Sequence, residues 1–248
     1  MRQGQKLSVL AVLTLGSLLA ICFVKPFPQP AGYHAFADQR TLFGIPHFMD
    51  VASNLPFLVA GVAALSNVRF KKEIYYAAPE ARLPWLVLIV SVFFTGFGSG
   101  YYHWAPSDGT LFWDRFPMAF GFSALLGIMV MERVDRSLGR RLWIPLIAAG
   151  VGSLLYWKWA NDLRFYFLLQ AWAVLLIPVI LLLFPAPSSG TVWLWVGIGL
   201  YALSKGFELA DAPIYRATGF ISGHSLKHLA AAAGCRYLFV HLFRRNAT

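Results

Sequence analysis

The chain has 248 residues, 58% of them hydrophobic and only 13% charged, with a formal charge of +10. A soluble domain carries about a quarter charged residues, so this composition excludes an ordinary soluble globule and indicates an all-α, polytopic membrane protein. The positive charge does not point to nucleic acid, because the basic residues sit in short connectors between apolar runs, as positive-inside loops do.

A spanning helix needs about 20 mostly apolar residues. Eight runs qualify: residues 7–24, 48–68, 83–103, 111–131, 142–159, 165–184, 192–211 and 222–243. Their connectors are mostly short, which predicts antiparallel neighbours. Residues 1–30 read as an N-terminal transmembrane helix with its linker, and residues 31–248 as one membrane domain. Arg2 and Lys6 ahead of the first run also fit a signal peptide. The bulky, proline-rich stretch 23–28 offers no small-x-small cleavage site, so a retained helix is expected. Cys22 and Cys235 both lie inside apolar runs, with no metal-ligand spacing and no expected disulfide.

Basic residues set the orientation. Arg2, Lys6, Arg69, Lys71, Lys72, Arg82, Arg133, Arg136, Arg140, Arg141, Arg244 and Arg245 fall on one side. Only Lys25, Arg40, Lys158, Arg164 and Arg216 are scattered on the other. Both termini are therefore expected in the cytoplasm.

Against this map the ionisable residues at membrane depth stand out, because they are costly there and by default mark a functional site. Ser99 and His103 close the third run, Asp114 lies a turn into the fourth, and His224 and His228 open the eighth. Four spans separate the start of the fourth run from that of the eighth, so both starts face the same, outer side. Residues four apart share a helix face, which lets His224 and His228 serve one metal. Three protein ligands and one open position are the usual catalytic zinc arrangement, in which the metal lowers the pKa of its water to about 7. Asp114 is a candidate to orient or deprotonate that water, and Ser99 a candidate donor to an oxyanion.

Each residue also has a plainer reading. A single helical histidine commonly makes an interhelical hydrogen bond. Ser99 lies in Gly96-Phe-Gly-Ser-Gly100, where small residues suggest close helix packing, and Asp114 precedes Arg115, a ready ion-pair partner. Their combination at one depth favours the metal.

Together these residues resemble the alkaline ceramidases and the wider membrane hydrolase superfamily that includes the adiponectin-type receptors. The carriers are Ser99-x-x-x-His103, the eleven-residue step to Asp114, and His224-x-x-x-His228. Asp50-Val-Ala-Ser-Asn54 is similar to the first family helix, and the likeness runs from residue 36 to the C-terminus. The Gly223-His-Ser-Leu-Lys-His228 segment is closest to bacterial members. The resemblance implies a seven-helix core, here with one extra N-terminal helix. It implies zinc held by His103, His224 and His228, water activation by Asp114, and Ser99 near the metal. The implied reaction cleaves the N-acyl amide of a ceramide-like lipid taken from the bilayer, in a bacterial inner membrane, with the site towards the periplasm. Another lipid amide or an acyl ester remains an alternative substrate. Eukaryotic members carry an acidic calcium cluster before the first family helix. This chain has Asp38, Arg40 and His47 there, and Arg40 cannot ligate calcium, which argues against a calcium site.

Lys205, Glu208 and Asp211, near Arg216 and Lys227, read as interfacial ion pairs with snorkelling lysines. Glu208 or Asp211 is alternatively an acceptor behind a ligating imidazole, and Asp50, Ser53 and Asn54 are candidates for the same role. Trp85, Trp104, Trp113, Trp143, Trp157 and Trp159 fall near run ends, as an aromatic belt would place them. His34 and His241 read as incidental. A receptor on the same scaffold is the main alternative, but its core has the opposite orientation to the one these basic loops predict. A transporter is a third class, though no inverted repeat is evident.

Overall fold

The computed structural model describes residues 1–70, 74, 76–185 and 190–244. Lys71, Lys72 and Arg245, invoked above for orientation, and residues 186–189 of one connector lie outside these. Among the described residues the chain is helical, without a strand beyond one isolated bridge between Leu42 and Ile45.

The helices are α1 (Gln3–Phe23), α2 (Phe48–Ala52), α3 (Leu55–Phe70), α4 (Arg82–Trp104), α5 (Asp108–Met129, continued by a π turn Val130–Val134), α6 (Arg136–Ala160), α7 (Arg164–Leu183), α8 (Thr191–Leu209), α9 (Asp211–Thr218) and α10 (Gly223–Arg244). Six stretches are long and apolar enough to cross a membrane: Gln3–Phe23, Phe48–Phe70, Pro79–Trp104, Asp108–Val134, Arg136–Ala160 and Arg164–Leu183. Large apolar side chains such as Val12, Leu19, Val59, Phe94, Leu175 and Leu182 are exposed on their surfaces, as suits a chain whose solvent is lipid.

The other two expected spans do form helices, α8 and α10, but fall short of that apolarity. Lys205 and Glu208 interrupt one, and His224, Lys227, His228 and Arg236 the other. The expected run 192–211 also ends early, at Leu209, and the short α9 begins at Asp211.

The chain divides into two compact units. The first comprises Met1–Gln29, Tyr76–Leu88 and Ala119–Pro187. In it α1 packs on α7, where the Trp172 indole donates to Ser17 Oγ at 2.7 Å. Asp135 caps α6 by accepting the Leu138 N–H at 2.7 Å, satisfying one of the orphan donors of a helix start. Trp85 and Trp157 are buried, unlike residues of an aromatic belt. The Trp85 indole donates to Glu132 Oε1 at 2.9 Å, a polar partner that lets this ring be fully enclosed. Trp159 is exposed.

The second unit comprises Pro30–Tyr75, Ile89–Met118 and Ser188–Thr248, and α10 is its centre, packed on α8, α3, α9 and α2. Two glycines allow the closest approach: a Cβ on Gly197 would lie 3.3 Å from the Gly234 carbonyl oxygen, and one on Gly234 3.2 Å from that of Gly197. α8 and α10 thus touch backbone to backbone. Gly98 does the same between α4 and α5, since any Cβ there would strike the Trp113 carbonyl. Ser222 starts α10 by accepting the Ser225 N–H at 3.0 Å, a standard N-cap. Both cysteines are free.

Candidate metal centre

All residues expected at the site belong to the second unit. α4 supplies Ser99 and His103 in its last turns, α5 supplies Asp114, and α10 supplies His224 and His228 in its first two. The three imidazoles are buried, and one nitrogen from each lies within 4.8 Å of the others. His103 Nε2 is 3.2 Å from His224 Nε2. Tetrahedral zinc at its usual distance from imidazole nitrogen separates two ligand nitrogens by roughly 3.3 Å, so this spacing fits.

Hydrogen bonding fixes which nitrogens carry lone pairs. Ser53 Oγ donates its only proton to the Asp50 carbonyl oxygen at 3.0 Å, so at 2.8 Å from His228 Nδ1 it accepts. His228 is therefore protonated at Nδ1, and its Nε2 is a lone pair. Lys227 Nζ, which has donors only, lies 3.1 Å from His224 Nε2, so that nitrogen is an acceptor too. It faces His103 Nε2 across 3.2 Å, a distance that suits either an N–H of His103 shared with this nitrogen or a cation held between the two rings. The His103 Nδ1 is buried without a hydrogen-bond partner among the described residues, which leaves this ring aligned by packing alone. The donor set, three buried imidazoles with one nitrogen each converging, is one that divalent zinc favours.

Carboxylates surround the cluster in distinct roles. Asp114 is half-buried, accepts a hydrogen bond from the Ser99 side chain, and lies close enough to Lys227 for their charges to interact. Ser99 is buried. It lies where helices pack closely, because Gly98 brings the α5 backbone against α4 and so allows Asp114 to meet the hydroxyl. Asp50, fully buried, accepts from Ser225 Oγ at 2.6 Å and Ser222 Oγ at 3.1 Å. It ties α2 to the start of α10. Asp211 accepts the His224 backbone N–H at 2.8 Å and the Ala37 N–H at 3.0 Å. Of the acceptors weighed for a ligating ring, only Ser53 with the Asp50 carbonyl behind it fills that role among the described contacts; Glu208 and Asp211 do not.

Three contributors carry no signal in the sequence, or a misleading one. Phe36, buried in the segment before α2, sets its ring edge-on to both His103 and His224 at 4.6 Å between centroids. Nothing local marks that phenylalanine. His34 lies outside the imidazole cluster, but contacts Tyr102 Oη at 2.8 Å through Nδ1 and Asp108 Oδ1 at 3.1 Å through Nε2. It pins the same segment to α4 and α5. Lys227 reaches inward rather than snorkelling, and its place three residues after His224, on the same helix face, was the clue.

That segment is held at its far end by an internal cation. Arg40 donates to Asp38 Oδ1 at 2.8 Å through Nε and to Oδ2 at 2.6 Å through Nη2, and also to the Phe220 carbonyl at 2.5 Å. Burial alone would raise the Asp38 pKa, but the Arg40 hydrogen bonds and charge outweigh it and hold the carboxyl below its ordinary value. His47 Nδ1 lies 3.2 Å from the Asp38 carbonyl oxygen rather than from its carboxylate. Asp38 is thus committed to a guanidinium.

No protein-family model matches this chain, and no curated protein matches its sequence.

Proposed function

We propose that the chain is an intramembrane zinc-dependent amidohydrolase that cleaves the N-acyl amide of ceramide-like lipids into a fatty acid and a long-chain base. The observation that carries this reading is the convergence of three buried imidazole nitrogens within 4.8 Å of one another, with Asp114 hydrogen-bonded to Ser99, which lies one helical turn before His103. His103, His224 and His228 hold the metal. Zinc in such a setting supplies Lewis acidity, making water nucleophilic near neutral pH and polarising a carbonyl. Asp114 takes the proton that water loses as its oxygen bonds to the acyl carbon, and returns it to the nitrogen as the C–N bond breaks. Ser99 keeps the Asp114 carboxylate aimed, and its hydroxyl, once turned, is a donor to the developing oxyanion.

The same reading places this site on a seven-helix core preceded by one added N-terminal helix, in a bacterial inner membrane. Both termini are cytoplasmic and the metal lies towards the periplasm. Long acyl chains lie among the helices. Membrane insertion is supported by the six apolar helices, and orientation by the basic loops. A reporter fused at the C-terminus gives a cytoplasmic signal in this arrangement; a periplasmic signal reverses it and favours the receptor orientation.

The deciding experiment compares lipids of cells making wild-type protein and Asp114→Asn protein. An amide-linked acyl lipid accumulates in the variant if the assignment is correct. Accumulation of an acyl ester instead keeps the hydrolase and changes its substrate. Identical acyl lipids in both cell types eliminate it.

A further inference from the structure

Lys227 has no part in the hydrolysis just described, yet it occupies the same turn of α10 as two metal ligands. A lysine near a membrane surface ordinarily extends its ammonium to water. This one points the other way. Its side chain is 18% exposed, with Nζ 2.9 Å from Glu208 Oε1 and 3.1 Å from His224 Nε2. Glu208 is itself shared, its Oε2 accepting from Lys205 Nζ at 2.7 Å. One carboxylate thus serves two ammonium groups and neutralises neither alone. Asp114 also places its charge on Lys227, but its hydrogen bond is to Ser99. Of the three Lys227 N–H donors, only those to Glu208 and His224 have a partner among the described contacts. Lys227 therefore brings an N–H donor and positive charge to within hydrogen-bond range of an atom that ligates the metal.

We propose that Lys227, aimed by Glu208, forms an anion subsite beside the three imidazoles that receives the carboxylate released on amide cleavage. The proposal rests on the hydrolase reading above. Hydrolysis adds water across the amide: the C–N bond breaks, a C–O bond forms, and the acid's proton ends on the released amine. The scissile carbonyl is neutral before this and the acyl product is anionic after it. An ammonium at this position interacts more strongly with the product end of the reaction than with the substrate. The site accordingly selects for a fatty carboxylate over an uncharged lipid of equal chain length.

The test measures binding of laurate and of dodecanol to zinc-supplemented full-length protein in a neutral detergent, alongside metal content. Charge-assisted hydrogen bonds of this kind change binding by about tenfold or more. Wild-type protein should bind laurate at least about tenfold more tightly than dodecanol. Lys227→Gln should reduce that preference by about tenfold without loss of zinc, leaving what the metal itself contributes, and Lys227→Arg should retain most of it. Lys227→Met repeats the measurement if the glutamine variant does not fold. Laurate affinity unaltered in the zinc-containing Lys227→Gln protein overturns the subsite while leaving the hydrolase intact. Zinc lost from that variant also overturns it, because Lys227 would then be supporting the ligands. Absence of zinc from the wild-type protein overturns the metal centre itself, and the subsite with it. A preference for dodecyl phosphate over dodecanol, combined with no preference for laurate over dodecanol, assigns the subsite to lipid phosphate and overturns the carboxylate assignment.

Discussion

His228 Nδ1 lies 2.8 Å from Ser53 Oγ, whose proton is given to the Asp50 carbonyl. This chain of two hydrogen bonds holds the ring in one tautomer and one rotation, so that α2, which contributes no ligand, sets the donor atom of α10. Removing the partner behind a ligating histidine typically costs about 10–100-fold in metal affinity. Ser53→Ala should show a loss of that size in competition with a chromophoric chelator, with its helix content preserved. Affinity equal to wild type would mean the contact does not orient the ring.

The imidazoles themselves should be indispensable. Purified wild-type protein should contain about one zinc per chain, measured by elemental analysis, and the His224→Ala, His228→Ala double variant should contain none. Metal removed from wild-type protein by a chelator should return on zinc addition. A wild-type protein that never holds metal contradicts the centre outright.

Much of this centre was legible in the sequence because its members come as helical pairs. Ser99 with His103, and His224 with His228, need only the helical period to share a face. Asp114 needed one more inference, that a short turn returns the chain beside α4. What could not be read were contacts made by packing across the fold. Phe36 against two imidazoles depends on the course of an irregular segment with no periodic pattern. The ion pair of Lys227 with Glu208 was legible, but its inward course, with Nζ 3.1 Å from His224 Nε2, was not. Apolarity found six helices long and apolar enough to span; the other two expected runs form α8 and α10, which are less apolar because they carry residues of the polar cluster.

Close helix contact at Gly98 predicts a selective sensitivity. A side chain there meets the Trp113 carbonyl, whereas at Gly100 nothing lies within 4 Å. Overpacking of this kind costs about 1–3 kcal/mol. Gly98→Val should lower thermal stability in detergent and separate Ser99 from Asp114, while Gly100→Ala should be close to neutral. Similar melting of the two variants would count against this account of how α4 and α5 meet.

Acid should loosen the segment over the imidazoles. The Asp38 carboxyl is held below its ordinary value of 3.8 chiefly by Arg40, against the opposing effect of burial. A depressed carboxylate pKa contributes stability that is complete above the unfolded value and is lost as the pH falls through the folded one. Hydrogen exchange across residues 35–47, corrected for intrinsic rates, should therefore be insensitive to pH above about 4 and accelerate below it. Arg40→Gln should bring that acceleration to higher pH. Calcium should leave protection of the wild-type segment unchanged above about pH 4, since Asp38 is held by a guanidinium that offers no oxygen ligand; added protection with calcium would contradict this.

The mutual contact of Gly197 and Gly234 has a practical corollary for anyone wishing to retune the metal. Gly234 lies six residues beyond His228, roughly 9 Å along the helix axis, and is part of neither the ligand set nor its hydrogen bonds. A methyl group there would meet the Gly197 carbonyl oxygen at 3.2 Å, so α8 and α10 would have to part by a few tenths of an ångström. The first two turns of α10, which carry both imidazoles, belong to that same rigid rod, so a change outside the cluster would be felt inside it.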